Sequence, residues 1–173
     1  MTSTAVRPSI AAGTYRIDPA RTTVHFDMRE MFGLKPVQGT FTVRDGTVVV
    51  GADPQHSCVR VEMDPARFKT DKARRDKDIL SDKWLDPAGY PEMSYVGDRL
   101  TESPEGWRLS GELTVHGVTA PVDLVLLDGA QTAGGVRFTA TATVDRAAFN
   151  LGKAIPFVGR MLTVTIEVGA TRA

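Results

Sequence analysis

The feature that most constrains this chain is an alternation of period two, which begins near Thr14 and returns in segment after segment. "TTVHFDMR" sets Val24, Phe26 and Met28 on one face and Thr23, His25, Asp27 and Arg29 on the other. "GWRLSGELTV" sets Trp107, Leu109, Leu113 and Val115 against Arg108, Ser110, Glu112 and Thr114. "VRFTATATV" and "MLTVTIEV" repeat the pattern, the first through Val136, Phe138, Ala140, Ala142 and Val144, the second through Leu162, Val164, Ile166 and Val168. "SCVRVEM" groups Val59, Val61 and Met63, and "EMSYVGDRL" pairs Met93 with Tyr95. Side chains of a strand point alternately to its two faces, so each segment has one buried face and one wet face. Many such strands joined by tight turns close into an antiparallel sandwich or barrel. "GTFTVRDGTVVV" alternates as far as Asp45-Gly46, a dipeptide that predicts a hairpin turn there.

One stretch breaks the period. "TDKARRDKDILSDKWLD", residues 70–86, reads as a helix capped by Thr70 or Asp71, with Ala73, Leu80 and Trp84 at helical spacing. Asp76 shares that stripe, and a half-buried carboxylate requires a partner, either Arg75 or a backbone N–H. The basic residues of "KARRDKD" alternate with acids, which fits a solvated face better than a phosphate site.

With 173 residues the chain suits one domain, expected over 13–173 behind a flexible tail at 1–12. Lys+Arg and Asp+Glu are 21 each. A net charge of zero provides neither the basic face that nucleic acid needs nor an attraction to anionic membrane surfaces. Cys58 is the lone cysteine, so no intrachain disulfide forms, and a single thiol suits a reducing compartment. The first residues lack the apolar core of an export signal, and no run of about 18 apolar residues predicts a membrane span. A cytoplasmic location is expected.

Motifs that carry chemistry are scarce. His25, His56 and His116 have no metal-ligand spacing, and the chain contains no nucleophile elbow, P-loop or dinucleotide fingerprint. His116 stands beside Gly117 between two strands of "GELTVHGVTAPVDLVL", where it reads as a hairpin corner whose side chain hydrogen-bonds across the turn. The same apolar parity is compatible with a filled core and with a barrel too wide to fill, whose side chains line a ligand tunnel.

Four segments in order, "YRID" (15–18), "RRDKDILSDKWLD" with "YPEMSY" (74–86 and 90–95), "GELTVHGVTAPVDLVL" (111–126) and "DRAAFNL" (145–151), are similar to the YceI-like polyisoprenoid-binding proteins. The resemblance covers roughly residues 13–170. It implies an all-β, elongated, lipocalin-like antiparallel barrel of about eight strands with one short helical insertion. It also implies an apolar tunnel holding an isoprenoid or quinone-like lipid, with no cofactor required. Three positions depart from the family pattern. Arg21-Thr22 stands where the family has His-Ser, Glu30 where it has a histidine, and Ala148-Phe149-Asn150 where it has Asp-Phe-Gly.

On this reading Val24, Phe26, Met28, Phe41, Met93, Tyr95, Trp107, Leu109, Leu113, Leu124 and Phe138 line the tunnel by parity, while Trp84, Leu85, Phe149 and Phe157 close its ends. Glu30 follows the inward parity of Met28 and is expected at the tunnel mouth as a ligand-binding candidate, either ionised and paired with Arg21 or Arg29, which is favoured, or protonated and donating a hydrogen bond to a quinone-like carbonyl of the ligand. The expected function is to carry or store an apolar lipid without chemistry, and a homodimer stays open. One alternative is a cyclase or isomerase of an apolar substrate, using Glu30 or His25. The other is a packed barrel serving as a protein-contact module.

Overall fold

The computed structural model describes residues 10–30, 35–151 and 160–173, leaving out the side chains at 29, 30, 35 and 36. Ten strands form one antiparallel sheet that closes on itself. They are β1 (Gly13–Ile17), β2 (Thr23–Glu30), β3 (Lys35–Val50), β4 (Cys58–Thr70), β5 (Met93–Ser103), β6 (Gly106–Val115), β7 (Val118–Pro121), β8 (Leu124–Thr132), β9 (Gly135–Asp145) and β10 (Met161–Arg172).

The ring has eight walls, because two of them are each built from two strands. β1 and β2 run in turn along β3 and β10. They are separated by a short 3-10 turn, Pro19–Arg21, where the Asp18 side chain accepts from the Ala20 N–H. Thr22 locks this break, since its hydroxyl donates to the Asp18 carbonyl at 2.8 Å and accepts from the Gly169 N–H. β7 and β8 likewise run in turn along β6, broken at Val122-Asp123. β9 pairs with β10 over eleven residue pairs, which closes the ring.

The alternation places apolar side chains inside along every wall. Asp45-Gly46 is not a turn. It lies within the continuous strand β3 as a bulge, where the register slips between Val43↔Met63 and Asp45↔Glu62. Gly46 is needed there for space, because a Cβ would stand 2.6 Å from Ile17 Cδ1 and 2.7 Å from the Arg60 carbonyl. The bulge flips the parity of β3, so Phe41 and Val43 face inward before it and Val48 and Val50 after it. The chain reverses instead at the Pro54–His56 turn, capped by Asp53.

The helix is also shorter than expected. α1 covers Ala73–Ile79, its N-cap is Lys72, and Ile79 is its buried residue, while Ala73 is exposed. Thr70 serves from outside the helix, donating its N–H (2.7 Å) and its hydroxyl (2.5 Å) to Asp76 Oδ1. A backbone N–H is therefore a partner of Asp76, and Arg75 lies 3.3 Å from Asp71. Serial turns follow α1 and carry Trp84 and Leu85 under the barrel.

His116 (φ 54°) and Gly117 (φ 73°) make a tight left-handed corner between β6 and β7. The bond across this hairpin joins the Thr114 and Thr119 hydroxyls at 2.7 Å. His116 packs edge-on against Tyr90 instead, with ring centroids 4.3 Å apart. Ile10 to Ala12, expected as the end of a tail, are tied down. Ala11 donates its N–H to Gln131 Oε1, and its carbonyl accepts the Tyr15 hydroxyl.

Candidate functional site: an apolar cavity inside the barrel

The inward faces do not meet. They enclose a cavity of about 250 Å³ that runs along the barrel interior. Val24 and Phe26 of β2, Phe41 of β3, Met93 and Tyr95 of β5, and Trp107, Leu109 and Leu113 of β6 line it. Leu124 of β8, Phe138 of β9, Leu85 and Phe149 complete the expected residues found on its wall. Met28 is not among them. It is buried beyond the cavity, paired with Val37 one step nearer the end of the barrel. Trp84 is also buried outside the wall, with the Arg146 guanidinium 5.3 Å from its ring centre. The Glu30 side chain and Phe157 lie outside the described residues.

Reasoning from the sequence passed over much of the wall. Val59 and Val61 of β4 and Leu162, Val164, Ile166 and Val168 of β10 line the cavity, at the parity their alternation showed. Val48 and Val50 line it too, and their parity was hidden by the bulge. At one end the wall is formed by Ile10, Val50, Gly51, Pro54, Ser57 and Cys58, all partly exposed.

Among the described residues that line the cavity none is charged. Its polar groups are few and mostly occupied. The Thr22 hydroxyl serves the strand break, and Ser57 Oγ accepts from the Gly51 N–H at 3.1 Å. The Tyr95 hydroxyl donates to the Val122 carbonyl at 2.8 Å. Burial pushes the Tyr95 phenol well above its ordinary pKa, and the nearby Asp123 and Asp98 push the same way. Tyr95 therefore stays a neutral donor. Val59, Val61, Val164, Ile166 and Val168 point inward yet keep partial exposure. In a filled core such side chains would touch one another across the barrel, so the interior has room for a guest.

His25 lies exposed on the outer face of β2 and takes no part in the cavity. No group of three metal-binding side chains occurs among the described residues. Nor, among those residues, is any helix long and apolar enough to cross a membrane. The large exposed apolar residues among them, Tyr90, Val96, Leu127 and Met161, sit on four different segments.

A sequence profile of the YceI-like domain matches residues 15–170. A UPF0312 protein of Pseudomonas syringae pv. syringae (strain B728a) is 33% identical over 148 residues, 81% of this chain and 77% of the relative. A UPF0312 protein of Pseudomonas fluorescens (strain SBW25) is 31% identical over 150 residues, 82% and 78% of the two chains. Among solved structures, Burkholderia cenocepacia BcnA superposes with a TM-score of 0.72 at 21% identity, covering 88% of this chain and 98% of that one. A polyisoprenoid binding domain from Saccharophagus degradans superposes with a TM-score of 0.64 at 11% identity, over 94% and 100%. At these identities the two structures establish the shared fold.

Proposed function

The chain belongs to the YceI-like domain family, and we propose that it binds and carries a long apolar lipid, isoprenoid or quinone-like, inside its barrel without altering it. The observation that carries this reading is the cavity wall, apolar on every side and without a charged residue among those described. Each methylene moved from water to such a wall contributes about 0.8 kcal/mol, so a long chain binds firmly with few polar contacts. An ionised head inside would be stranded without a counter-charge, at a cost of several kcal/mol. The ligand is therefore neutral along its buried length, and any charge it bears stays outside. The polyisoprenoid-binding domain of Saccharophagus degradans, which shares the fold, supports the same class of guest.

The alternative of a cyclase or isomerase is not favoured, because His25 stands outside the barrel and no acid–base pair meets in the described cavity wall. The contact module fits less well still, since it requires a filled interior. In the favoured reading the carrier works in the cytoplasm, which suits its lone thiol, Cys58.

Mass spectrometry of organic extracts from freshly purified protein tests the proposal. A single class of apolar lipid, recovered unchanged after incubation, is the expected result. A quinone analogue should also quench the fluorescence of Trp107, which lines the cavity, in a saturable way. Protein that yields no lipid and shows no saturable quenching would refute the carrier role.

A further inference from the structure

The chain contains two Asp-Gly dipeptides, Asp45-Gly46 and Asp128-Gly129. Each follows a register slip in its strand, yet their surroundings differ. Asp45-Gly46 is enclosed. β4 pairs with both residues, and β1 pairs with β3 from Thr47 onward. The Asp45 carboxylate lies 3.7 Å from the Arg16 guanidinium, and Gly46 is hemmed in by Ile17 and the Arg60 carbonyl. Asp128-Gly129 is open. β6 pairs with β8 only as far as Leu126, so beyond that residue β9 is the ladder partner of β8 among the described residues. Asp128 is exposed and Gly129 partly so. The Gly129 N–H donates to Asp128 Oδ1 at 2.8 Å. The amide nitrogen of Gly129 is thereby held against the carboxyl group of the residue before it, and glycine has no side chain to screen that nitrogen.

We infer that Asp128-Gly129 is a site of spontaneous covalent modification, where Asp128 rearranges to isoaspartate through a cyclic imide, and that the fold protects Asp45-Gly46 from the same reaction. In the first step the Gly129 nitrogen attacks Cγ of the Asp128 carboxylic acid. An N–Cγ bond forms and a Cγ–O bond breaks, and the departing hydroxyl takes up the amide proton and leaves as water. In the second step a water molecule adds at the α-carbonyl of the imide, and the bond from that carbonyl to nitrogen breaks. The main chain then runs through the side-chain carbonyl, and an α-carboxylate is left beside it. Water is the only co-reactant. Ring closure requires the Asp-Gly peptide to rotate. At Asp45-Gly46 the ladder with β4 and the crowding by Ile17 and Arg60 oppose that rotation. At Asp128-Gly129 the side of β8 that β6 has left gives it room. The product has a methylene added to its main chain, which disturbs the register of Gly129–Thr132 with β9.

The test ages the purified wild-type protein in mildly acidic buffer. Samples are digested, and each Asp-Gly peptide is read by liquid chromatography with electron-transfer mass spectrometry, which distinguishes isoaspartate from aspartate. Isoaspartate should accumulate at Asp128 faster than at Asp45 by on the order of tenfold or more, the ratio that a barrier lower by about 1.4 kcal/mol gives. In protein aged in denaturant the two sites should react at similar rates, because the fold no longer separates them. Gly129→Val should suppress the product at Asp128. Asp128→Asn should convert faster than the wild type, releasing ammonia in place of water, whereas Asp45→Asn should keep its amide over the same period. Equal rates at the two sites in the folded protein overturn the inference, as does an Asp128 that stays unmodified there. A ratio unchanged by denaturant overturns it too, since local sequence and not the fold would then set it.

Discussion

The Tyr95 hydroxyl reaches from β5 to the Val122 carbonyl, 2.8 Å away, at the residue where β7 gives way to β8. The N–H of Val122 is bound in turn to the Gly111 carbonyl at 3.0 Å. A break in a barrel wall leaves backbone groups without ladder partners, and here one buried phenol replaces a missing strand neighbour. Gly111 makes room for it, since a Cβ there would stand 2.4 Å from the phenol oxygen.

Tyr95→Phe is accordingly expected to lower unfolding stability by about 1–3 kcal/mol, because it leaves a buried carbonyl without a donor. The ring keeps its place in the cavity wall, so ligand affinity should change little. Denaturant unfolding measures the first quantity and a quenching titration the second. Unchanged stability would mean that the break is held by other contacts.

Gly39 plays a similar part for the Phe26 ring. A Cβ at this position would meet the Phe26 ring at 2.4 Å and the Lys69 carbonyl at 2.9 Å. Gly39→Ala should therefore displace Phe26 and cost about 1–3 kcal/mol, the usual range for overpacking. Near-ultraviolet circular dichroism, which reads aromatic packing, should change along with the melting temperature. A variant identical to wild type in both would show that the ring has freedom to yield.

Filling the cavity should separate binding from folding. Ile166 of β10 lines the cavity and is only partly buried. Ile166→Trp places an indole into open space, so stability should stay within about 1 kcal/mol of wild type. Retention of any long apolar ligand should fall by on the order of tenfold or more as guest volume is lost. Full retention in a folded variant would place the guest elsewhere.

Arg160 forks onto Asp145, with Nε 2.8 Å from Oδ1 and NH2 2.7 Å from Oδ2. Those hydrogen bonds hold the Asp145 carboxyl below its ordinary range. A lowered carboxyl pKa stabilises the fold above the ordinary value of about 3.9, and this contribution is lost as pH falls through the folded value. Arg160→Met should thus raise the Asp145 pKa in a carbon-detected titration. The stability gap between variant and wild type should be present at neutral pH and shrink below about pH 4. An Asp145 titration that does not move would remove the pair as the cause.

The sequence alone determined that this chain is built of antiparallel strands with one buried face, because a period of two is a local property of each strand. Val24 and Phe26, or Val164 and Ile166, declare their common face without reference to any partner. Part of the cavity wall was legible for that reason. The Asp45-Gly46 bulge was not, because whether that dipeptide turns or kinks depends on Ile17 and Arg60 pressing against it from elsewhere in the chain. Helical spacing ran past Ile79, where the chain leaves α1 through a series of turns in which the Trp84 N–H donates to the Ser81 carbonyl and the Leu85 N–H to the Ile79 carbonyl. Only the tertiary structure decided that Phe26 lines the cavity while Met28, two residues later on the same face, is buried outside it. Parity assigns a side chain to the interior. Whether that interior is open or filled depends on how far apart the opposing walls stand, and strand number, tilt and the shapes of distant side chains set that distance together.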